Sequence, residues 1–252
     1  MVYTETMRLS DITIVVPTRD EANNIPAFIG SLPDTVCLIA VDASQDATPD
    51  LVETLRPRHT LVLRRPGTIS QARQWGAEAA TTPWLLFTDA DLVFAPDYFD
   101  RLPAYGDCEA LYGPKLSADE FAGYYRWFRL GQRLFHRIGV PAVSGSNLLV
   151  TRAALMAVGG FDLRLTCNED SELGWRLARR GYRVGFAPDL VVLARDHRRL
   201  HRGALRKILH SLARCALLYL DLMPSRWRSR DWGYWSPPAA PKPRRRISGL
   251  VD

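Results

Sequence analysis

The sequence predicts an α/β fold: a mostly parallel sheet flanked by helices, followed by a C-terminal amphipathic helix and a basic tail. Three observations predict it. Short β-branched or apolar runs alternate with helix-like segments through the first 91 residues, which is the pattern of βαβ units. Three of these runs end in polar clusters, Thr18-Arg19-Asp20-Glu21, Asp42-Ala43-Ser44 and Asp89-Ala90-Asp91, and in such sheets ligands bind outside the carboxyl ends of the strands. The chain has 252 residues, 47% of them hydrophobic and 24% charged. That is a globular composition, long enough for a core that needs no staples.

Each element has a local cause. Residues 12–16 are β-branched and end at Pro17, as a buried strand would. Residues 21–29 read as a helix, 36–41 as a second strand, and Asp46, Thr48 and Pro49 as the start of a helix reaching Leu55. Residues 60–63 form a third strand, 70–80 an Ala-rich helix and 84–88 a fourth strand. Residues 118–135 look helical and aromatic-rich, with Phe121, Tyr124, Tyr125, Trp127 and Phe128. Residues 148–150 form a strand, Gly159-Gly160-Phe161-Asp162 a turn, and 168–180 a helix stopped by Gly181. Residues 184–186 and 190–193 read as strands, and 202–223 as a last amphipathic helix. The expected division is a catalytic unit over residues 1–200 and a helix with a Trp-rich basic tail over 201–252.

Charge is uneven. Residues 195–252 hold 14 arginines and lysines against four aspartates, whereas the whole chain is +6. The four cysteines, Cys37, Cys108, Cys167 and Cys215, form no C-x-x-C pair, so a reducing, cytoplasmic compartment is expected rather than a disulfide scaffold. The first residues lack the basic-then-apolar order of a signal peptide, and no run reaches the roughly 18 apolar residues of a spanning helix.

Two acidic groups stand out. Asp89-x-Asp91 ends an apolar strand, where carboxylate oxygens suit a hard divalent cation; the plainer reading is a capped or solvated turn. Asn168-Glu169-Asp170-x-Glu172 starts a helix, where capping and the helix dipole explain one or two acids. Three acids exceed that need, and one carboxylate there suits a general base. Arg73, on the third helix, reads first as a surface arginine, and His197 as part of a solvated basic stretch or an extra metal ligand. The G-x-G-x-x-G, Walker A, G-x-S-x-G and H-E-x-x-H signatures are absent from the sequence.

Together these segments resemble the family 2 glycosyltransferases of the GT-A fold, a Rossmann-like arrangement. Four blocks within residues 11–200 carry the resemblance: Val15 to Asn23; Val41-Asp42-Ala43-Ser44-Gln45-Asp46; Ala72-Arg73-Gln74-Trp75-Gly76 with Phe87-Thr88-Asp89-Ala90-Asp91; and Gly145-Ser146-Asn147 through Gly159-Gly160-Phe161-Asp162 to Asn168-Glu169-Asp170. It implies an inverting transfer from a UDP- or GDP-linked sugar to an acceptor hydroxyl on a lipid or glycan. Pro17, Thr18, Glu21, Asp42, Ser44, Arg73, Asp89, Gly145 and Asn147 would bind the donor. Asp91 and His197 would hold Mn²⁺ or Mg²⁺, and Asp170, with Glu169 beside it, would be the catalytic base. Ala43 and Gln74 depart from the family pattern, which leaves base and sugar preference open. The absence of Q-x-x-R-W implies a single transfer per acceptor.

At the basic end, Leu205, Ile208, Leu209, Leu212 and Ala216 recur at helical spacing, and Trp227, Trp232, Tyr234 and Trp235 follow among arginines. This fits a segment lying on an anionic bilayer, and equally a helix packed on the catalytic unit. No nucleic-acid-binding module is recognisable. The rival functions are a nucleotidyltransferase of similar fold, which would want a Gly-rich basic loop after the first strand, and an inactive nucleotide-sugar-binding protein. A glycosidase would not need an acidic pair at a strand end.

Overall fold

The computed structural model describes residues 7–117, 119–201 and 204–230. In chain order its elements are β1 (Ile12–Thr18), α1 (Ile25–Gly30), β2 (Cys37–Asp42), α2 (Thr48–Leu55), β3 (Thr60–Arg64), α3 (Ile69–Ala79), β4 (Trp84–Thr88), β5 (Leu92–Phe94), α4 (Tyr98–Arg101), β6 (Ala110–Tyr112) and β7 (Lys115–Ser117). There follow α5 (Ala122–Arg137), β8 (Asn147–Thr151), α6 (Arg152–Ala157), α7 (Glu169–Arg179), β9 (Val184–Phe186), β10 (Val192–Ala194), α8 (Arg198–His201), α9 (Ala204–Tyr219) and α10 (Ser225–Arg228).

The main sheet has the order β3-β2-β1-β4-β8-β6-β9. β1 to β4 are parallel, and β8 runs antiparallel between β4 and β6. The chain moves outward from β1 to β3 and then returns to place β4 on the other side of β1. That reversal opens a crevice at the carboxyl ends of β1 and β4, where open α/β sheets bind ligands. A small second sheet, β5-β10-β7, lies beside it.

Alternate side chains of β1 feed two cores. Ile12, Ile14 and Val16 pack with Ile25, Phe28 and Ile29 of α1 on one face. Val15 faces Ala72 and Ala77 of α3 on the other, where Leu155 of α6 and Leu173 and Leu177 of α7 also pack. Gly76 lets α3 lie flat on β1: a Cβ there would stand 2.3 Å from Val15 Cγ1.

Several boundaries differ from the sequence reading. β1 continues through Pro17 to Thr18 instead of stopping at the proline. The carbonyl of Thr18 accepts from Ala43 on the β2 side, so the face of residue 17 turns toward β4. β4 pairs with β1 only as far as Val15, so the missing proline N–H costs no ladder bond. Residues 21–24 form a turn before α1, with Glu21 O accepting from both Asn24 and Ile25 N–H. The sequence reading places no strand at β5, β6 or β7, although it finds β9, which is no longer; such short strands are made by their partners more than by their own residues.

The C-terminal helix packs on the body by a stripe other than the expected one. Arg214 and Leu218 are buried, whereas Leu209, Leu212 and Ala216 face outward. Leu218 and Met223 join Leu165 and Trp175 of the α7 region in a small core. Arg228 Nη1 reaches Asp162 Oδ2 at 3.1 Å, fastening the end of the described chain to the loop before α7. Ala118, Arg202, Trp232, Tyr234, Trp235 and the rest of the basic tail lie outside the described residues. Among the described residues no helix is long and apolar enough to cross a membrane.

Candidate active site

The sheet edge is built by short polar bridges between neighbouring strands. β1 and β2 pair so that Thr18 lies beside Asp42. Thr18 Oγ1 donates to Asp42 Oδ1 at 2.7 Å, and Ser44 donates to the same carboxylate through Oγ (2.6 Å) and N (3.1 Å). Asp42 is thereby fixed, nearly buried, at the end of its strand. The loop after Thr18 is tied to the loop after β2: Asp20 N donates to Ser44 Oγ, Gln45 N to Asp20 Oδ1, and Glu21 N to Thr48 Oγ1. Glu21 also accepts from Asn24 Nδ2 at 2.6 Å. Pro17 is buried beneath this loop.

The second cluster is ionic. Because β8 is antiparallel to β4, Asn147 pairs with Thr88, and the preceding Gly145-Ser146 falls beside Asp89. Arg73 rises from α3 between these segments, 2% exposed. Its Nη2 donates to Asp89 Oδ1 at 2.9 Å and its Nη1 to Glu169 Oε1. Ser146 Oγ donates to Asp89 Oδ2 at 2.5 Å, and Gly145 N to Asp170 Oδ2 at 2.6 Å. Thus Asp89, Glu169 and Asp170, up to 81 positions apart in the chain, meet around one guanidinium. Residue 145 must be glycine here, since a Cβ would lie 2.2 Å from Arg73 Nη1.

The electrostatics follow from burial. Desolvation opposes charge on Arg73, but Glu169, Asp89 and Asp170 outweigh it and hold the guanidinium's pKa above its ordinary value. Burial pushes the Glu169 carboxyl up to about 7; Arg73 pulls against this, while Asp170 and Asp89 add to it. Asp170 is half-buried, so of the two acids it is the one with access to a ligand.

Asp91 precedes β5 and lies beside the small second sheet. Its Oδ1 is buried without a hydrogen-bond partner and lies 4.0 Å from Lys115 Nζ on β7. A buried carboxylate oxygen left unsatisfied is costly, and a divalent cation whose other ligands are water and diphosphate oxygens would satisfy it. The residue present therefore fits such an ion. No group of three or more His, Cys, Asp or Glu residues forms a protein cage among the described residues.

Two residues expected at the ligand have their polar atoms engaged within the protein. Asn147 is 2% exposed, and both ends of its amide are used: Oδ1 accepts from Tyr98 Oη at 2.6 Å and Nδ2 donates to Leu190 O at 2.8 Å. It ties β8 to the segment before β10. Burial pushes the Tyr98 phenol upward, keeping it a donor. His197 follows β10, whose neighbour Arg195 donates to Asp91 O, so it lies in the right region. Its ring is buried and engaged, however, with Nε2 on Asp119 Oδ1 at 2.7 Å and Nδ1 on Tyr125 Oη at 3.2 Å. As drawn, the ring offers a cation no free nitrogen. The sequence reading also missed Ser146, Tyr98 and Lys115. Ser146 alone had a signal, its place in the Gly145-Ser146-Asn147 block.

Comparison with known proteins agrees with this geometry. The family model described as Glycosyl transferase family 2 matches residues 13–109, and that described as Glycosyl transferase family group 2 matches residues 115–227. The chain is 27% identical over 206 residues to the pre-mycofactocin glycosyltransferase of Mycobacterium tuberculosis, covering 75% of this chain and 43% of that one. It is 30% identical over 207 residues to the N-acetylglucosaminyl-diphospho-decaprenol L-rhamnosyltransferase of the same species, covering 79% and 62%. It therefore spans about half the length of the curated relatives it matches. In fold it is similar to the mannosyltransferase of Pyrobaculum calidifontis in complex with GDP-Man and Mn²⁺, with a TM-score of 0.61 at 21% identity over 87% of this chain and 72% of that one.

Proposed function

The chain belongs to the family 2 glycosyltransferases, and from that premise we propose that it moves a sugar from a UDP- or GDP-linked donor to an acceptor hydroxyl on a lipid or glycan, inverting the anomeric carbon. The observation that carries this reading is the meeting of Asp89, Glu169 and Asp170 around Arg73 at the crevice where β1 and β4 diverge.

Each residue has a defined task in that reaction. Asp42, held by Thr18 and Ser44, presents a fixed carboxylate to the nucleotide base. Asp89 lies at the ribose. Asp170 takes the proton of the acceptor hydroxyl as its oxygen bonds to the anomeric carbon and the bond to the diphosphate oxygen breaks. Base and leaving group must lie on opposite faces of the sugar, which is why one displacement inverts the centre. Arg73 touches Glu169 and Asp89 rather than open space, so it is a positioning residue that sets the geometry of Asp170 and its neighbours. Asp91 would hold Mn²⁺ or Mg²⁺, which supplies Lewis-acid neutralisation of the departing diphosphate; His197 could join it only by giving up Asp119.

One relative is named for transfer to N-acetylglucosaminyl-diphospho-decaprenol, which supports a lipid-linked acceptor here. Four free cysteines support a reducing compartment, and we place the enzyme in the cytoplasm or on the cytoplasmic membrane face. The test is donor hydrolysis with UDP- and GDP-sugars and Mn²⁺. Wild type is expected to release the nucleoside diphosphate slowly, with Asp170→Asn and Asp91→Ala each at least a hundredfold slower, on the order of the loss of one catalytic group. Absence of nucleotide-sugar binding, or pyrophosphate release from a nucleoside triphosphate, would refute the proposal.

A further inference from the structure

Helix α5 is packed with its polar side inward. The residues it turns to the body are Tyr125, Arg129, Gln132 and His136, spaced as one helical stripe. Each has a partner there: Tyr125 Oη on His197 Nδ1, Arg129 Nη2 on Pro188 O at 3.4 Å, Gln132 Nε2 on Ala142 O at 3.0 Å, and the His136 ring against Tyr112 at 6.0 Å. The opposite stripe is Trp127, Leu130, Leu134 and, just past the helix, Ile138, which are 74, 52, 59 and 65% exposed. Surface helices of globular proteins do the reverse, and a contiguous apolar strip in water marks an interaction site.

Charge identifies the occupant. Ala122–Arg137 contains four arginines and no carboxylate. Arg126, Arg133 and Arg137 fall together on one flank of the apolar strip and are exposed. An apolar face bordered by cations matches the boundary of an anionic bilayer, with acyl chains below and phosphates beside them. A second copy would set one three-arginine flank against another, which is unfavourable.

We propose that α5 is the membrane-docking face of this protein and that it lies in the headgroup region of anionic phospholipid. Its position gives this a purpose. Gln132 holds Ala142, three residues before Gly145, which in turn holds Asp170. Docking through α5 would therefore act on the segment that carries Gly145. The inference rests on the packing of α5 and stands whether or not the proposed transfer reaction is correct.

The test is vesicle co-sedimentation of the full chain with phosphatidylglycerol–phosphatidylcholine mixtures and with phosphatidylcholine alone. Wild type is expected to bind the anionic vesicles and to release in high salt. Replacing Arg126, Arg133 and Arg137 by Gln should weaken binding on the order of a hundredfold, at about fivefold per arginine near such a surface. Trp127→Ser with Leu134→Ser should weaken it at least roughly tenfold, from lost apolar burial. Circular dichroism melting should be unchanged in both variants, since these side chains face solvent, and calorimetric nucleotide-sugar binding separates this test from that of the reaction. Equal vesicle binding by wild type and both variants would place the membrane contact elsewhere, and a lipid-free dimer lost in the variants would assign α5 to a second copy; either result overturns the proposal.

Discussion

Replacing Arg73 by Leu tests the centre of the site directly. The side chains of Arg73 and Glu169 are each 3% exposed, and they face one another without intervening solvent. Removing the cation leaves Glu169 with no compensating charge in a dry place, a change that typically costs about 3–5 kcal/mol. Asp89 is more open and keeps Ser146, so it adds little. The sign of the pH dependence follows. Wild-type Glu169 has its pKa raised to about 7, so its contribution to stability is full below the unfolded value near 4.5, is lost as pH rises through 7, and is flat above that. Without Arg73 the folded-state pKa rises further, and the variant must still take up a proton on folding above pH 7. The stability gap should widen there by up to about 1.4 kcal/mol per pH unit. The assay is urea unfolding followed by circular dichroism, at a series of pH values from 6 to 9. A second substitution, Glu169→Gln, should remove the pH dependence and restore much of the loss. A cost below about 1 kcal/mol at pH 8, or a gap that is constant from pH 6 to 9, would refute the account of a buried pair.

Two further predictions share that logic. Glu169→Gln alone should abolish the decline in stability that wild type shows between about pH 4.5 and 7, because the group that binds a proton more tightly when folded is gone; a decline of unchanged slope in the variant would assign it to another group. Gly145→Ala forces a methyl group onto the Arg73 guanidinium, and should cost about 1–3 kcal/mol as overpacking does and slow donor hydrolysis by displacing the N–H that holds Asp170; a variant with wild-type stability and rate would show that this loop gives way freely.

What was legible in the sequence was whatever a local pattern encodes. The parallel strands β1 to β4 are long apolar runs with turn residues between them, so period and punctuation were enough to find them. Their carboxyl ends were enough to bring Thr18, Asp42 and Asp89 to one edge, because that edge is fixed by the topology of parallel sheets. Strands of three residues owe more to their partners than to their own residues, so β9 was found while β5, β6 and β7 were not.

Orientation was decided only by packing. Arg73, expected by resemblance to bind the donor, is held within the protein by three carboxylates from two segments, Asp89 and the adjacent pair Glu169 and Asp170. Asn147 and His197 looked like ligands and are instead satisfied by Tyr98, Leu190, Asp119 and Tyr125, partners supplied by elements distant in the chain. Amphipathicity shows the same division most plainly. The sequence by itself determined that α5 has an apolar stripe opposite a polar one, since that follows from a period of 3.6. Which side turns to the protein is a matter of what lies opposite, and there stand Pro188 O, Ala142 O, His197 and the Tyr112 ring, most of them hydrogen-bonding groups that reward a polar stripe.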